Sequence, residues 1–321
     1  MIETRLLRNA LMLAKHQNFA RAAKELHISQ PTLTRSIQLL EKTVGDLLFD
    51  RTSRTILPTK TGEIVLKHAS IIIASTRAMR DEVSLYKGLS IGSLFIGAGP
   101  YAGTELLAHA TSQFSRHYPG IKIEIRIGDW RKLPGRWTQE GFDFLVMETS
   151  KLNESPDFEI TRLNHHQGFF FCRQNHPLLK KDNLAISELQ PFPLIGPALP
   201  TRLKNLFSGL SVSDGDASAL PIIVPTYTCN DLGTIKTIVR ESDAIGLGTF
   251  GILEQELESG LFKTLPFYMP ALKTDHHIVM RKGLSLSPSA KAFIEFLIIR
   301  DNELSILEAD LIKSLGPAIT G

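Results

Sequence analysis

Near the N-terminus, two helical patterns meet at a very short turn. Asn18 is a good cap for a first helix that is rich in small alanines. Ser29 is a good cap for a second helix, in which Pro31 occupies the first turn and loses no hydrogen bond. Only residues 27–28 separate the two helices, and Ile28 can fill the angle between them. The sequence therefore predicts a helix-turn-helix.

The second helix of this motif carries the side chains that predict its partner. In a helix-turn-helix, the N-terminal part of the second helix enters the major groove of DNA. Here that part has side chains of the kinds that hydrogen-bond to base edges and phosphates. Within this second helix, Glu41 is the first acidic residue. The solvated face of an ordinary three-helix bundle is the alternative. The predicted DNA contacts are Ser29, Gln30, Pro31, Thr32, Thr34, Arg35 and Gln38.

The segment after the helix-turn-helix supports DNA as the partner. Residues 47–59 have short apolar runs on both sides of a basic, hydroxyl-rich tip, which is typical of a small hairpin or wing. Arg51 and Arg54 at this tip are predicted to contact backbone phosphates. Residues 1–90 hold 14 Lys and Arg against 8 Asp and Glu, whereas the rest of the chain holds 22 against 25. A basic first quarter indicates a polyanionic partner.

A long helix is predicted after Pro58. Its apolar stripe alternates spacings of four and three residues, as the seam of a coiled coil does. A long helix between two domains has little of its own protein to pack on, so dimerisation is favoured over packing on its own domain. The predicted dimer residues are Val65, Ala69, Ile72, Thr76, Met79, Val83 and Tyr86.

From Ser90 onward, strand patterns alternate with helix patterns. Residues 94–98, 121–127 and 142–146 form one series, and residues 168–172, 194–195, 222–224 and 244–248 form a second. Such an order predicts α/β structure with mostly parallel sheets. Residues 277–280 and 289–299 are expected to return to the first series.

Residues 18–37, followed by Leu39-Leu40-Glu41, resemble the LysR-type transcriptional regulators of bacteria. Further landmarks of that family are residues 47–51, 59–62, 114–120, 141–143 and 175–178. The resemblance implies an α+β multidomain fold with a winged helix-turn-helix, a dimerising linker helix and a two-lobed, periplasmic-binding-protein-like effector domain. It also implies transcription regulation through double-stranded promoter DNA, a small-molecule effector, and a homodimer or homotetramer, with RNA polymerase as a partner if the protein is an activator.

This resemblance divides the chain into domains. The DNA-binding domain is expected at residues 1–58, the linker helix at 59–89, the effector domain at 90–301 and a C-terminal tail at 302–321. Lobe I would comprise residues 90–163 and 269–301, and lobe II residues 164–268.

A ligand is expected between the lobes, because open α/β sheets bind ligands beyond the carboxyl ends of their strands. Thr104 and Thr201 precede predicted helices, so each would place a hydroxyl beside free N–H donors, and Arg202 could bind an anion. This pattern favours a small organic anion, although capping threonines and a solvent-facing arginine would look the same. The predicted effector contacts are Gly99, Pro100, Tyr101, Thr104, Asp129, Pro200, Thr201, Arg202, Tyr227, Thr228, Thr249 and Phe250.

Three other functions are weighed against this hypothesis. A redox-responsive regulator could use Cys229 or methionines, whereas Cys172 lies in an apolar strand pattern that favours an inert thiol. The pairs at residues 165–166 and 276–277 could suggest a metal, but adjacent histidines on a strand point to opposite faces, so solvated or strand-edge histidines are favoured. An enzyme acting on a cleft ligand is the remote alternative, because no P-loop or complete dinucleotide-binding turn occurs.

The sequence also predicts where the protein works. It contains no apolar stretch of the roughly 18 residues that a membrane span needs, and its N-terminus is not patterned like a signal peptide. We therefore expect a cytoplasmic protein with no membrane partner, no metal and no cofactor.

Overall fold

The computed structural model describes residues 2–51, 56–86, 92–149, 156–181, 184–209 and 225–315 of the chain. Two predictions lie outside these residues, namely Arg54 at the wing tip and the strand at 222–224. The side chains of Arg51 and Tyr86 also lie outside the description.

The N-terminal domain has the predicted winged helix-turn-helix. Its elements are α1 (Thr4–His16), α2 (Phe19–Glu25), α3 (Gln30–Val44), β1 (Phe49–Arg51) and β2 (Ile56–Pro58). Both predicted caps are present, since Asn18 accepts a hydrogen bond from the backbone N–H of Arg21 and Ser29 accepts one from that of Thr32. His27 has a φ of 54°, the left-handed conformation that ends α2 sharply and lets α3 begin at once. β1 and β2 pair antiparallel as the wing.

The linker helix α4 (Lys60–Tyr86) is continuous with the DNA-binding domain. Thr59 caps it by accepting a hydrogen bond from the N–H of Gly62, 2.9 Å away. A Cβ at Gly62 would lie 2.0 Å from the carbonyl oxygen of Leu48, so only glycine lets the helix approach the start of the wing this closely. The position of α4 relative to the wing is therefore set at its first turn.

The structure corrects the predicted dimer stripe at its first two positions. Ala69 has 0% of its surface exposed and Val65 packs beside it, both within the core of the DNA-binding domain. The first turns of α4 lie against α1, and this contact occupies that face of the helix. Farther along, Ile72, Met79 and Val83 are exposed, with Met79 at 58%. Ile64, which lies outside the predicted stripe, is exposed as well.

The polar side of α4 packs on the effector domain of the same chain. Lys67 forms an ion pair with Asp157, with Nζ 2.6 Å from Oδ1. Ser70 is buried, and its Oγ accepts a hydrogen bond from Arg281 Nη1 at 2.9 Å. The linker helix therefore has more of its own chain to pack on than its sequence indicates.

Two lobes follow α4. The chain first forms β3 (Gly92–Ala98), α5 (Pro100–Ala102), a π-helical turn (Gly103–Leu107), α6 (Ala108–His117), β4 (Ile121–Ile127), α7 (Leu133–Glu140), β5 (Phe144–Glu148) and β6 (Phe158–Arg162). The second lobe contains β7 (Gly168–Arg173), two 3-10 turns (Pro177–Lys180 and Ile186–Leu189), β8 (Leu194–Gly196), α8 (Thr201–Gly209), β9 (Tyr227–Thr228), α9 (Leu232–Glu241), β10 (Ile245–Thr249), α10 (Phe250–Glu258) and β11 (Phe262–Thr264). The chain returns to lobe I with β12 (His276–Arg281) and α11 (Pro288–Ser314).

Each lobe has a five-stranded sheet with one strand reversed. The orders are β4-β3-β5-β12-β6 in lobe I and β11-β7-β10-β8-β9 in lobe II. β12 runs antiparallel to both neighbours in lobe I, and β7 does so in lobe II. These are the strands by which the chain enters each lobe from the other, so the crossover accounts for the reversal in otherwise parallel sheets.

Two predicted boundaries need correction. The expected tail at 302–321 is helical as far as Ser314, because α11 continues without a break and buries Leu304 and Glu308. Met269 and Leu272, assigned to lobe I from the sequence, belong to the apolar core of lobe II. The return crossover therefore begins after Leu272.

A buried ionic cluster holds the first crossover, residues 163–167, against α11. The ring of His166 lies between two carboxylates, with Nε2 2.8 Å from Asp301 Oδ1 and Nδ1 3.2 Å from Glu308 Oε2. Burial alone would lower the pKa of His166, but the hydrogen bonds to Asp301 and Glu308 outweigh it and raise the pKa to about 10. The expectation of solvated histidines is therefore wrong for His166.

We predict that His166→Gln lowers the free energy of unfolding by roughly 3 kcal/mol, because it leaves two buried carboxylates without their cation. The raised pKa makes this stabilisation complete below about pH 6.5 and causes its loss as the pH rises through about 10. Urea unfolding across this range should show that fall in the wild type and not in the variant. His165→Gln, at the half-exposed neighbour, is the control, and an equal effect there would contradict the prediction.

Candidate functional site

The outer face of α3 presents the predicted DNA contacts to solvent. Leu33, Ile37 and Leu40 point into the domain core, which turns the opposite face of the helix outward. The predicted residues on that face are all exposed except the half-buried Thr34, namely Ser29, Gln30, Pro31, Thr32, Arg35 and Gln38. Arg35 and Gln38 are one turn apart and lie side by side on this face. The Ser29 hydroxyl is already used within the helix cap, 2.7 Å from that of Thr32.

Other basic side chains surround this face. Arg21 and Lys24 on α2 are exposed, as is His27 in the turn. The sequence pattern gave no reason to single them out, because their exposure follows from the way α2 crosses α3. Arg51 ends the first strand of the wing.

A cleft that is partly open to solvent separates the two lobes. Six of the predicted effector contacts line it: Gly99, Pro100, Tyr101, Pro200, Arg202 and Thr249. Most of the other lining side chains are apolar, among them Trp130, Pro197, Ala198, Leu199, Leu203, Leu247 and Leu272. Its remaining polar side chains are those of Glu148, Lys273, Thr274 and His276.

Thr104 and Asp129 do not line the cleft. The helix after β3 begins at Pro100 with Gly99 as its cap, so Thr104 lies inside the helix and cannot cap it. Asp129 is held by Arg131, whose Nε and Nη2 are 2.8 and 2.7 Å from its two oxygens. The hydrogen bond from Arg131 is the main cause that lowers the pKa of Asp129. Both side chains therefore have structural partners.

The other four predicted contacts also lie outside the cleft lining. Thr201 is exposed at the start of α8. Tyr227 and Thr228 form β9, an exposed strand at the edge of the lobe II sheet. Phe250 packs against the core of lobe I. Thr201 and Phe250 follow strands β8 and β10 as predicted, whereas Tyr227 and Thr228, expected in the crossover, form a strand themselves. None of the four lines the ligand space.

Direct contacts between the lobes cross the cleft. The Tyr101 hydroxyl in lobe I donates to the carbonyl oxygen of Leu247 in lobe II at 2.5 Å. Trp130 Nε1 donates to the carbonyl oxygen of Ala198 at 3.2 Å. Arg202 forms an ion pair across the cleft with Glu148. The lobes are thus held close together while space remains between them.

Behind the cleft, Glu105 forms a buried contact with both lobes. His276 Nδ1 lies 3.1 Å from Glu105 Oε1, and the Thr249 hydroxyl donates to Oε2. Burial alone would raise the pKa of Glu105, but hydrogen bonding to His276 and the nearby charge of His166 lower it. The carboxylate therefore stays charged beneath the ligand space, and His276 is buried rather than solvated.

The sequence did not single out several cleft residues, for different reasons. Glu148 ends β5, so the same rule that selected the ends of four other strands could have found it. Lys273, Thr274 and His276 come from the return crossover, which carries no local pattern that points to a ligand. Their place in the cleft depends on how lobe II folds back onto lobe I.

The cysteines have different surroundings. Cys172 is buried in β7, and burial raises the pKa of its thiol to about 12, which disfavours the reactive thiolate. Cys229 is half-buried, and its Sγ accepts a hydrogen bond from the backbone N–H of Asp231 at 3.4 Å. Both thiols are free.

Within the described ranges, no three histidine, cysteine or acidic side chains group as metal ligands. No helix in that part of the chain combines the length and apolar character of a membrane span.

Two family descriptions match the chain. Residues 4–63 match "Bacterial regulatory helix-turn-helix protein, lysR family", and residues 87–300 match "LysR substrate binding domain". The SDS degradation transcriptional activation protein of a Pseudomonas species is 32% identical over 305 residues, which cover 94% of this chain and 97% of that protein. The transcriptional regulator PcaQ of Agrobacterium fabrum is 26% identical over 265 residues, or 83% of this chain and 84% of that one.

Solved structures share the fold. A full-length OxyR variant from Pseudomonas aeruginosa superposes with a TM-score of 0.67 at 21% identity, covering 94% of this chain and 95% of that one. Full-length LysG from Corynebacterium glutamicum, with bound effector Arg, superposes with a TM-score of 0.61 at 16% identity, covering 94% and 99%.

Proposed function

Because the chain belongs to the LysR family of bacterial transcriptional regulators, we propose that the outer face of α3 reads promoter DNA and that a small molecule between the lobes controls the response. The observation that carries this proposal is the exposed polar face of α3, free of acidic side chains in its first three turns. The proposed units are the DNA-binding domain at residues 1–58, the linker helix at 59–89, and an effector domain that extends through α11. The family assignment favours a cytoplasmic regulator, and contact with RNA polymerase belongs to the proposal if the protein is an activator.

In the proposed DNA complex, the two kinds of contact have different roles. Arg35 and Gln38 lie along α3, where a major-groove helix reaches base edges. The N–H groups at the start of α3 suit a phosphate. Arg51 and Arg54 of the wing are proposed to contact phosphates, which supplies affinity without sequence preference.

We predict that Arg35→Ala and Gln38→Ala each weaken binding to the specific site by about 1–3 kcal/mol, because each removes a base contact. The measurement is fluorescence anisotropy with a duplex that the wild-type protein selects from random sequences, compared with a scrambled duplex. Arg116→Ala removes an exposed arginine from the effector domain and is the control. Equal losses on the specific and scrambled duplexes would contradict a role in base reading.

A homodimer is proposed through the exposed part of α4. Ile64, Ile72, Met79 and Val83 form an apolar stripe that the part of the chain described by the structure leaves uncovered. Thr76 lies within it, and its hydroxyl donates to the carbonyl oxygen of Ile72. Paired linker helices would carry two DNA-binding domains to two half-sites, and pairs of such dimers would give the homotetramer.

We predict that Ile72→Asp and Met79→Asp each reduce the mass in solution, because a charge in the helix pair loses apolar contact and is desolvated. Sedimentation equilibrium would measure the mass. Leu39→Asp, which changes an exposed leucine on α3, is the matched control and should leave the mass unchanged. If both α4 variants keep the wild-type mass, this stripe is not the dimer contact.

The effector proposal rests on the cleft and its apolar lining. Buried leucines and Trp130 supply most of the contact surface, and they suit a ligand with an apolar body. The SDS degradation transcriptional activation protein, one of the relatives, bears the name of an alkyl compound. Because β12 begins at the cleft with His276 and ends beside α4 with Arg281, a change between the lobes has a short route to the linker helix.

We predict that Leu203→Trp abolishes the effector response while DNA binding persists, because an indole would fill the space that a ligand needs. The readout is a reporter promoter together with anisotropy of the selected duplex. Thr201→Val, two residues earlier on α8 but outside the cleft, is the control and should respond normally. A normal response of Leu203→Trp would place the effector elsewhere.

A further inference from the structure

One carboxylate and one guanidinium face each other at the polar end of the cleft. Glu148 ends β5 in lobe I and Arg202 lies in the first turn of α8 in lobe II, with Oε2 3.3 Å from Nη2. Among the described residues, Glu148 Oε1 and Arg202 Nε are buried atoms without a hydrogen-bond partner. Glu148 is only 7% exposed, so water does not readily replace the missing partner. Such atoms cost free energy until a ligand satisfies them.

The two atoms require opposite hydrogen-bonding roles from a ligand. A carboxylate oxygen accepts a hydrogen bond and Nε of an arginine donates one. A single hydroxyl group both donates and accepts, so its chemistry matches both roles. A carboxylate or sulfate would satisfy Arg202 but would bring a second negative charge beside Glu148. An ammonium group would satisfy Glu148 but would lie beside the cation of Arg202.

The other polar side chains of the cleft have partners or are solvated, and among them His276 Nδ1 lies 3.1 Å from Glu105 Oε1. The Tyr101 hydroxyl donates to Leu247, and that of Thr249 donates to Glu105. The Thr274 hydroxyl accepts a hydrogen bond from the backbone N–H of His166. Lys273 is exposed, so solvent screens the attraction of its ammonium group for an anion. The rest of the lining is apolar and suits a hydrocarbon chain.

We infer that the cleft takes an uncharged aliphatic alcohol. Its hydroxyl donates to Glu148 Oε1 and accepts from Arg202 Nε, and its chain lies against Leu199, Leu203 and Leu272. The inference rests on the proposed function, because it names the chemistry of the effector in the same cleft. It replaces the organic anion expected from the sequence, since the sequence did not show that Glu148 stands beside Arg202.

The test compares three probes with the same chain and different head groups, namely octanol, octanoate and octylamine. Calorimetric titration of the full-length wild-type protein should show that octanol binds at least roughly tenfold more tightly than either charged probe. Octanoate or octylamine that binds as tightly as octanol would overturn the inference, and so would the absence of octanol binding. This comparison requires no variant.

Two variants then test the residues. Glu148→Gln removes the negative charge and keeps the shape, so the preference for octanol over octanoate should fall by roughly tenfold. Leu203→Trp should lose octanol binding, whereas Thr201→Val should keep it. An unchanged preference in Glu148→Gln would show that Glu148 does not select the ligand.

Anisotropy with the selected duplex separates this inference from the proposed function. If octanoate binds more tightly and alters DNA binding, the alcohol inference fails and the proposed function stands. If octanol binds as expected but neither DNA binding nor the reporter promoter responds, the proposed control by the cleft fails and the ligand chemistry stands.

Discussion

A protonated histidine, buried between two carboxylates, holds the point at which the chain passes from lobe I to lobe II. His166 lies in the first crossover, and its partners Asp301 and Glu308 are both on α11. Asp301 also accepts hydrogen bonds from Asn164, and Glu308 accepts one from the backbone N–H of Gln167. Five residues of crossover are thereby attached to a helix that packs on lobe I. The sheet of lobe II depends on this attachment, because β7 is the strand that this crossover delivers.

The cleft follows from the same arrangement. The return crossover lies beside the first, with the backbone N–H of Thr274 donating to the carbonyl oxygen of His166 at 2.8 Å. It continues directly into His276, which contacts Glu105 beneath the ligand space. The ion pair between Glu148 and Arg202 then crosses the gap at the level of the ligand. A ligand at this point would contact both lobes close to the two segments that connect them.

The sequence predicted the DNA-binding domain almost completely, because its signals are local. Caps at Asn18 and Ser29 and the apolar spacing within α3 act over a few residues, and the structure has both caps. The linker helix was predicted, but part of its contact face was wrong. Periodicity along α4 shows that apolar residues share a face, but it does not show whether that face meets α1, as at Ala69, or remains open, as at Met79.

For the cleft, the sequence alone determined which strand ends meet and thereby six of its lining residues, because the order of strands and helices fixes which edges of the sheets come together. The tertiary structure decided the chemistry. Glu148 and Arg202 are 54 residues apart, and His166 and Asp301 are 135 apart. No local pattern relates such residues, since the direction of a side chain at a strand end depends on where the helix after it begins. The helix after β3 begins at Pro100 rather than at Thr104, so the predicted threonine cap does not form. The packing of lobe II on lobe I places the carboxylate of Glu148 beside Arg202, where the sequence predicted an anion.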